Sequence, residues 1–515
     1  MEIQKLNFLK HLFRYKRNVY LDNNATTDIS RNVRSKMNYV LKNCHGNPSS
    51  IYGIARKSTE IIAEARQHLA DAIHADPQEI YFTGCATESN NSVLKSLCSS
   101  FYPIMNKIIS TPIEHPSVIN TLEFLKKQGI IIEYCPVDNH GHVLIDELEK
   151  MIDDNTFLIC CMLANNEIGT IQDIKAITKI AHRHDVLVMS DCVQAFGKIP
   201  VDVHSLGIDY ASFSAHKLHG PKGIGALYVR HGSPFSPLLH GGHQENGMRA
   251  GTESVHNIAG FGAACQNVNN ILDHAKHIEL LKCKFIQQLM NIKPDCIINS
   301  PNVNCLPNTV SITFSGISNA EFMAMLDYYG VAVSAASACS SQEEKSSSTL
   351  KAVGLSDQAI KETIRISLGT HTSFRDIRYA IKVINNYLKG KKLFINLISP
   401  ARLDDSILFN ELYYILDVRP DFMRNVVKSL PNSHELSFVS SEKYLNQIPA
   451  DKHILVACQH GNLSHIEAYY LKSKGFRHVS SLKGGICAWK KLHSDLYEKY
   501  GGKNVSFLTQ SSLTE

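Results

Sequence analysis

From residue 18 to about residue 275 the chain keeps one rhythm: a short apolar run, a small or polar residue, then an amphipathic stretch. The apolar runs at 80–83, 107–110, 157–163, 186–190, 210–213 and 224–229 have the length of buried strands. Between them, 59–73, 117–128 and 171–184 carry apolar residues at helical spacing. This alternation predicts an α/β domain built on an open, mostly parallel sheet with helices on both faces. Ligands of such sheets bind outside the carboxyl ends of the strands. Thr87, His115, Asn166, Asp191 and Lys217 all follow predicted strand ends.

With 515 residues the chain has room for roughly two to four domains. The sequence reads as a large domain over 18–275, a small α/β domain over 276–390, a linker over 391–405 and a compact α/β domain over 406–500. Residues 1–17 read as an N-terminal extension and 501–515 as a loose tail. Lys389-Gly-Lys-Lys392 and Ser399-Pro400 mark the linker, the lysines being a solvated cluster. In the last domain, strands are expected at 415–418, 454–457 and 479–482, with a helix over 464–474. A net charge of +5 is small for this length and argues against a dedicated nucleic-acid binder. No apolar run approaches a membrane span. The 14 cysteines contain no C-x-x-C pair, so a metal site is not expected, and free thiols fit a reducing, cytoplasmic setting. The adjacent Cys160 and Cys161 should face opposite sides of their strand.

The run Ser212-Phe-Ser-Ala-His-Lys-Leu-His-Gly-Pro-Lys-Gly-Ile-Gly225 sets Lys217 between an apolar strand and a Gly/Pro turn. Asp191 closes another strand. An amine and a carboxylate at neighbouring strand ends are what pyridoxal 5'-phosphate needs: the amine condenses with the aldehyde, and the carboxylate keeps the pyridine nitrogen protonated. Thr83-Gly-Cys-Ala-Thr-Glu-Ser89 lies between a strand and a helix, where helix-opening amides from Ala86 onward and the Thr87 hydroxyl would cradle the phosphate. Ser214 and His216 would add phosphate contacts, and Asn166 and Gln194 would bond the phenolic oxygen. An isolated histidine before a proline is most often a turn residue bonded to backbone; in this setting His115 would lie on the ring and move protons. Gly220–Gly225 enters a strand rather than opening a helix, which rules out a nucleotide loop. His216 and His219, like His240 and His243, stand three apart, but the sequence places no carboxylate beside them.

Tyr20-Leu-Asp-Asn-Asn-Ala-Thr-Thr27, Gly46-Asn-Pro-Ser-Ser50, Ala86-Thr-Glu-Ser89, Glu114-His115, Asn165-Asn-Glu-Ile-Gly169, Asp191, Ser214-Ala-His-Lys217 and Arg249-Ala-Gly-Thr252 together resemble the cysteine desulfurases of the class V aminotransferase group, over about 18–389. The resemblance implies an aminotransferase-like fold and pyridoxal phosphate as cofactor. His115, Asp191, Gln194 and Lys217 match cofactor-contacting positions. Thr252 matches a phosphate ligand donated by the other subunit of a homodimer with shared active sites. Cys339, in the polar loop Ser334-Ala-Ala-Ser-Ala-Cys-Ser-Ser341, matches the nucleophile. Arg365, in Ile364-Arg-Ile-Ser-Leu-Gly369, matches the arginine for the substrate carboxylate, with Asn166 beside it. The implied reaction turns L-cysteine into L-alanine and leaves a persulfide on Cys339. The spacing from Cys339 to Leu350 resembles the long-loop subgroup.

Leu416-Asp-Val-Arg419, Cys458-Gln-His-Gly-Asn-Leu-Ser464 and Gly484-Gly-Ile-Cys-Ala-Trp489 resemble a rhodanese domain. Cys458 would then carry sulfane sulfur inside a loop whose successive amides favour an anion. Many rhodaneses have arginine where this chain has Leu463, which argues against thiosulfate as substrate. Trp489 reads as packing and Cys487 as a buried thiol. The combined expectation is a relay from Cys339 to Cys458 and on to sulfur acceptors of the iron–sulfur scaffold or tRNA-thiolation type. Two alternatives stand beside it: a selenocysteine lyase or related pyridoxal-phosphate enzyme, and a rhodanese module acting only as a docking surface.

Overall fold

A computed structural model describes residues 18–335, 347–389, 395–425, 427–437 and 445–500. The chain divides into two compact units. One comprises Tyr20–Ser315 with Val333–Arg378; the other comprises Gly316–Ala332 and the chain from Tyr379 onward, with Val19.

A seven-stranded sheet runs through the first unit, in the order Ile80–Thr83, Gly225–Val229, Tyr210–Ser214, Leu187–Asp191, Thr156–Cys160, Lys107–Ser110 and Ile131–Tyr134. Only Gly225–Val229 is antiparallel to its neighbours. The fold is the mostly parallel α/β arrangement that the apolar runs predict. One core beneath the sheet gathers Ile109, Ile159, Val188, Ala211 and Phe213, and the other gathers Ile108, Leu158, Met189, Tyr210 and Leu227. Alternation along each strand supplies both. Cys160 falls in one core and Cys161 in the other, as expected.

The run read as a strand over 157–163 leaves the sheet after Cys160. It stays tied to its neighbour through the amides of Cys161 and Leu163, which donate to the carbonyls of Met189 and Asp191 at 3.0 Å. The helix Ile174–Arg183 buries Ile174, Ile177, Ile180 and Ala181, one stripe at helical spacing, and Asp173 caps it by accepting from the Ala176 amide at 3.0 Å. A smaller antiparallel sheet, ordered Ser334–Ala335, Thr363–Ser367, Thr309–Thr313 and Ile297–Ile298, completes this unit.

In the second unit, five parallel strands run in the order Asn396–Ile398, Val479–Leu482, His453–Ala457, Tyr413–Asp417 and His434–Glu435. Residues 391–405 were expected to be a linker, yet the edge strand Asn396–Ile398 lies within them, and Ile398 and Leu403 enter the core. Trp489 is fully buried there, and its indole N–H donates to the Leu403 carbonyl at 2.7 Å. Cys487, expected to be buried, is half-buried. The helix Asn319–Tyr328 packs on the helix Asn462–Ser473, with Tyr328 and Tyr469 rings 6.3 Å apart. Tyr387 reinforces this face by donating to Glu321 at 3.1 Å. These contacts group residues 316–332 with the last domain rather than with the sheet they follow in sequence. Among the described residues no helix is long and apolar enough to cross a membrane.

Candidate active site

Lys217 ends the short helical turn Ala215–Lys217, which begins where the strand Tyr210–Ser214 stops. Its amine donates to the carbonyls of Asn24 at 2.5 Å and Ala25 at 2.9 Å. Asp191 is the last residue of the adjacent strand and is 6% exposed. Its carboxylate accepts from Asn90 Nδ2 and from the Val193 amide, both at 3.0 Å. Asn90 also donates to Ser117 Oγ at 2.9 Å, so one buried amide links Asp191 to the start of the next helix.

His115 caps that helix, Pro116–Lys126, whose first position is proline, the residue best tolerated there. The ring's Nδ1 accepts from the Ser117 amide at 3.1 Å, so in the neutral imidazole the hydrogen sits on Nε2. Burial lowers the pKa of His115; Asp191 opposes that shift and Lys217 adds to it. The backbone-bonded turn role and the ring-facing role are therefore compatible: one nitrogen serves each. Glu114, beside it, is buried and its pKa is pushed up to about 8 by burial, so it holds a proton at neutral pH.

Arg365 lies on the strand Thr363–Ser367 and is 2% exposed. One terminal nitrogen donates to the Asn166 carbonyl at 3.0 Å and the other pairs with Asp22 at 2.7 Å. Its Nε is buried with no partner. A buried unpaired guanidinium N–H is costly and suits an incoming carboxylate. Asn24 joins this group to Lys217: its Nδ2 donates to the same Asn166 carbonyl at 3.1 Å while its own carbonyl accepts the lysine. Asn166 thus contributes a backbone acceptor; its neighbour Asn165 pins the loop by accepting from the Glu167 and Ile168 amides.

At the other end, Ala86 and Thr87 open the helix Ala86–Phe101, whose first amides have no intrahelical partner. Thr87 is exposed and lines an open cavity with His115. Gly225 crosses close behind; a Cβ there would come within 2.8 Å of the Ala86 nitrogen. Ser214 is buried, and His216 hydrogen-bonds Thr26 Oγ1 at 3.1 Å. Burial, together with the charges of Lys217, Lys222 and Lys198, lowers the pKa of His216 to about 4. Thr252 is exposed on the loop ahead of the helix Val255–Gln266. Lys217, Asp191, His115 and the helix-start amides are groups of the chemical types that would hold pyridoxal phosphate, and the orphan Arg365 Nε could receive a carboxylate.

Cys458 directly follows the strand His453–Ala457 in the second unit and is 2% exposed. Its sulfur accepts from the Gly461 amide at 3.1 Å and the Ser464 amide at 3.2 Å, with Ser464 Oγ at 3.4 Å. Amide dipoles converging on a sulfur suit negative charge. Arg419, fully buried, forks onto Asp417 and donates to Gln459 Oε1 at 2.9 Å, which holds the first residue of the loop. Gly485, at a positive φ of 65°, lets the next loop close on the carbonyls of Cys458 and Gln459. Leu463 is half-buried and offers no charge.

The model of the aminotransferase class-V family matches residues 19–379, and that of the rhodanese-like domain matches residues 399–492. The chain belongs to the class-V aminotransferase family. The cysteine desulfurase IscS of Dictyoglomus turgidum is 41% identical over 377 residues, covering 73% of this chain and 95% of that protein. IscS of Methanosarcina thermophila is 40% identical over 367 residues, or 71% and 91%. A solved NifS-like protein superposes with a TM-score of 0.69 at 39% identity, over 73% of this chain and 100% of that one. SspA, solved in complex with cysteine, gives 0.61 at 34% identity, over 69% and 99%.

Against this class-V framework, Cys339 falls outside the described residues, and Thr252 makes no described contact with the Lys217 pocket. Sequence reasoning missed Asn90 and Lys198 and quoted Asp22 and Asn24 only as parts of a motif; Asp22, Asn24 and Asn90 owe their roles to partners far away in the chain, and Lys198 to Gln194 and Asn24. Reading Arg249 only as part of a motif also missed its ion pair with Glu88 at 2.9 Å, which ties the Thr252 loop to the helix start. His219, for which no carboxylate was placed, lies 3.2 Å from Asp28, and His371 stands 3.6 Å from the same carboxylate. Both ring nitrogens of His219 are already engaged, by Asp28 and Thr370.

Proposed function

We propose that this chain is a pyridoxal-phosphate-dependent cysteine desulfurase that removes sulfur from L-cysteine and relays it through its C-terminal domain. The observation that carries the reading is the joining of Lys217 to Arg365 through Asn24 and the Asn166 carbonyl. An amine able to hold the cofactor and a cation able to hold a carboxylate are thereby locked in one frame. Bound there, the cofactor supplies an electrophilic carbon and a ring that takes up electrons. Arg365 holds the substrate carboxylate with its free Nε, Asp191 supplies a fixed negative charge, and Lys217 and His115 Nε2 take up and return protons. Asp22 and the Asn166 carbonyl keep the guanidinium aimed.

Cys339 attacks the substrate sulfur. The new S–S bond replaces the Cβ–S bond, whose electrons return to carbon with a proton, so L-cysteine and a thiol become L-alanine and a persulfide. Transfer to Cys458 exchanges one thiol for one persulfide and is redox-neutral. The amides of Gly461 and Ser464 support a persulfide on Cys458, while Leu463 disfavours a thiosulfate anion. The same reading makes Thr252 a ligand to the partner subunit's site in a homodimer, and places the enzyme in the cytoplasm feeding protein acceptors. Burial of Cys458 is the observation favouring the second reading, in which the rhodanese-like domain only docks partners.

The test supplies L-cysteine and follows alanine and protein-bound sulfane sulfur. Cys339→Ala is expected to make neither, while keeping the colour of the bound cofactor; undiminished alanine release would remove Cys339 from the mechanism. Cys458→Ala is expected to keep alanine release and lose labelled sulfur on the C-terminal domain. Unchanged transfer to acceptors would leave only the docking role.

A further inference from the structure

Lys198 is a half-buried lysine that the mechanism above does not use. It lies four residues after Gln194 and lines one small cavity with Lys217, Asn308 and Gly369. Its amine donates to Gln194 Oε1 at 2.5 Å and to Asn24 Oδ1 at 2.9 Å. Among the described residues no carboxylate hydrogen-bonds it. Burial, with the charges of Lys217 and Arg365, pushes its pKa well below the usual lysine value. Two acceptors face it, Gln194 Oε1 and Asn24 Oδ1, and a lysine amine has an N–H for each whether or not it is charged.

The consequence falls on Gln194. An amide side chain has a donor end and an acceptor end of nearly the same shape, and its neighbours decide which way it points. Lys198 claims the oxygen. The nitrogen donates to the Asn24 carbonyl at 3.0 Å, the same carbonyl that accepts Lys217 at 2.5 Å. Gln194 is therefore held from both ends, its NH2 on the Lys217 side and one N–H still available. Asn24 is fixed in turn: Asn308 donates to its Oδ1 at 3.0 Å, and its Nδ2 donates to Thr309 at 2.8 Å.

We infer that Lys198 is a positioning residue, which orients the Gln194 amide so that an N–H, not a carbonyl, faces the phenolic oxygen of the cofactor. The inference rests on the reading of Gln194 as a cofactor contact. An N–H aimed at that oxygen stabilises its ionised form; a carbonyl would repel it. Lys198 touches neither cofactor nor substrate and acts through Gln194.

The test titrates the visible absorbance of the cofactor-loaded protein against pH in the unaltered enzyme, Gln194→Leu, Lys198→Met and the double variant. Thermal unfolding is measured alongside. Gln194→Leu is expected to displace the midpoint by about one pH unit, the loss of a single charge-assisted bond. Lys198→Met should move it the same way by at least half as much. The double variant should match Gln194→Leu alone, since the two act as one unit. Lys198→Gln, which restores an N–H donor, should return the midpoint toward the unaltered value. An unmoved midpoint in Lys198→Met, or additive displacements in the double variant, overturns the inference. An unmoved midpoint in Gln194→Leu removes the underlying reading of Gln194, and the inference with it. If Lys198→Met does not fold, Gln194→Glu decides: it keeps an oxygen for Lys198 but has no N–H and adds a negative charge, so it must displace the midpoint the same way as Gln194→Leu and at least as far. Behaviour like the unaltered enzyme would show that the oxygen, not the nitrogen, faces the cofactor.

Discussion

The Lys217 pocket and the Cys458 loop both sit at the carboxyl ends of parallel strands, but they are put together in opposite ways. Lys217, Gln194 and Arg365 take their described hydrogen-bond partners from residues 22–25, 166 and 194–198, and the Asn24 hub is braced from 308, 309 and 367. The Cys458 sulfur takes every described partner from within six residues of itself. The first site depends on side chains brought together by the whole unit. The second depends on the shape of one stretch of backbone. A side-chain change should therefore hurt the first more, and a backbone constraint the second.

Gly485→Ala is the strongest way to break that contrast. The new Cβ would overlap the carbonyls of Cys458 and Gln459, at a φ that side-chain-bearing residues rarely adopt. We expect at least a tenfold loss of sulfane sulfur on Cys458 and a local cost of about 1–3 kcal/mol. Alanine release should be unchanged. Equal loss of both activities would mean that the two sites are not independent.

A somewhat smaller effect, on stability, is expected from Glu167. Burial lifts its pKa from 4.5 to about 7, against the hydrogen bond from Ser347 and the charge of Arg365. The folded state thus holds a proton that the unfolded chain has already lost. Stability contributed by that proton is full below about pH 4.5, falls as pH rises and is gone above about 7. The span corresponds to at most about 3 kcal/mol. Unfolding by urea at pH 5 and pH 8 should show the decline in the unaltered protein and a smaller one in Glu167→Gln. Parallel profiles would mean that Glu167 is not the group responsible.

Smallest is Asp173→Ala, which removes a helix cap that belongs to neither site. It should cost about 1 kcal/mol in urea unfolding and leave both sulfur-handling steps as they are. Any selective loss at the Lys217 pocket would show that packing outside the site reaches it.

The same contrast explains what could be read in the sequence. The apolar runs marked six of the seven strands of the large sheet because those are buried on both faces, whereas the more exposed edge strand Ile131–Tyr134 was missed; Lys217, Asp191 and His115 were legible because they follow strand ends. Cys458 and Gly461 of the second site fall in one run, Cys458–Ser464, and Gly485 in another, Gly484–Trp489, both readable as local motifs, and Trp489 was legible as packing from its chemistry alone. Asn24, Asn90 and Lys198 carry no such local mark: an asparagine near the start of the chain becomes a hub only because residue 308 and residue 367 come to lie beside it. Asn396–Ile398 was hidden because a three-residue strand next to a lysine cluster has the composition of a linker.

Asn24 also bears on how the enzyme comes into being. Its amide is held by Ser367 Oγ at 2.9 Å, and the Ser367 amide is held by the Leu21 carbonyl at 2.7 Å. The carbonyls that receive Lys217 are fixed only when a segment made early meets one made more than three hundred residues later. On the ribosome, a nascent chain with its seven-stranded sheet already folded would still lack that closure. Stable capture of the vitamin-derived group is thus a step that follows synthesis of the Thr363–Ser367 strand, and a chain truncated before it should emerge folded in part yet colourless.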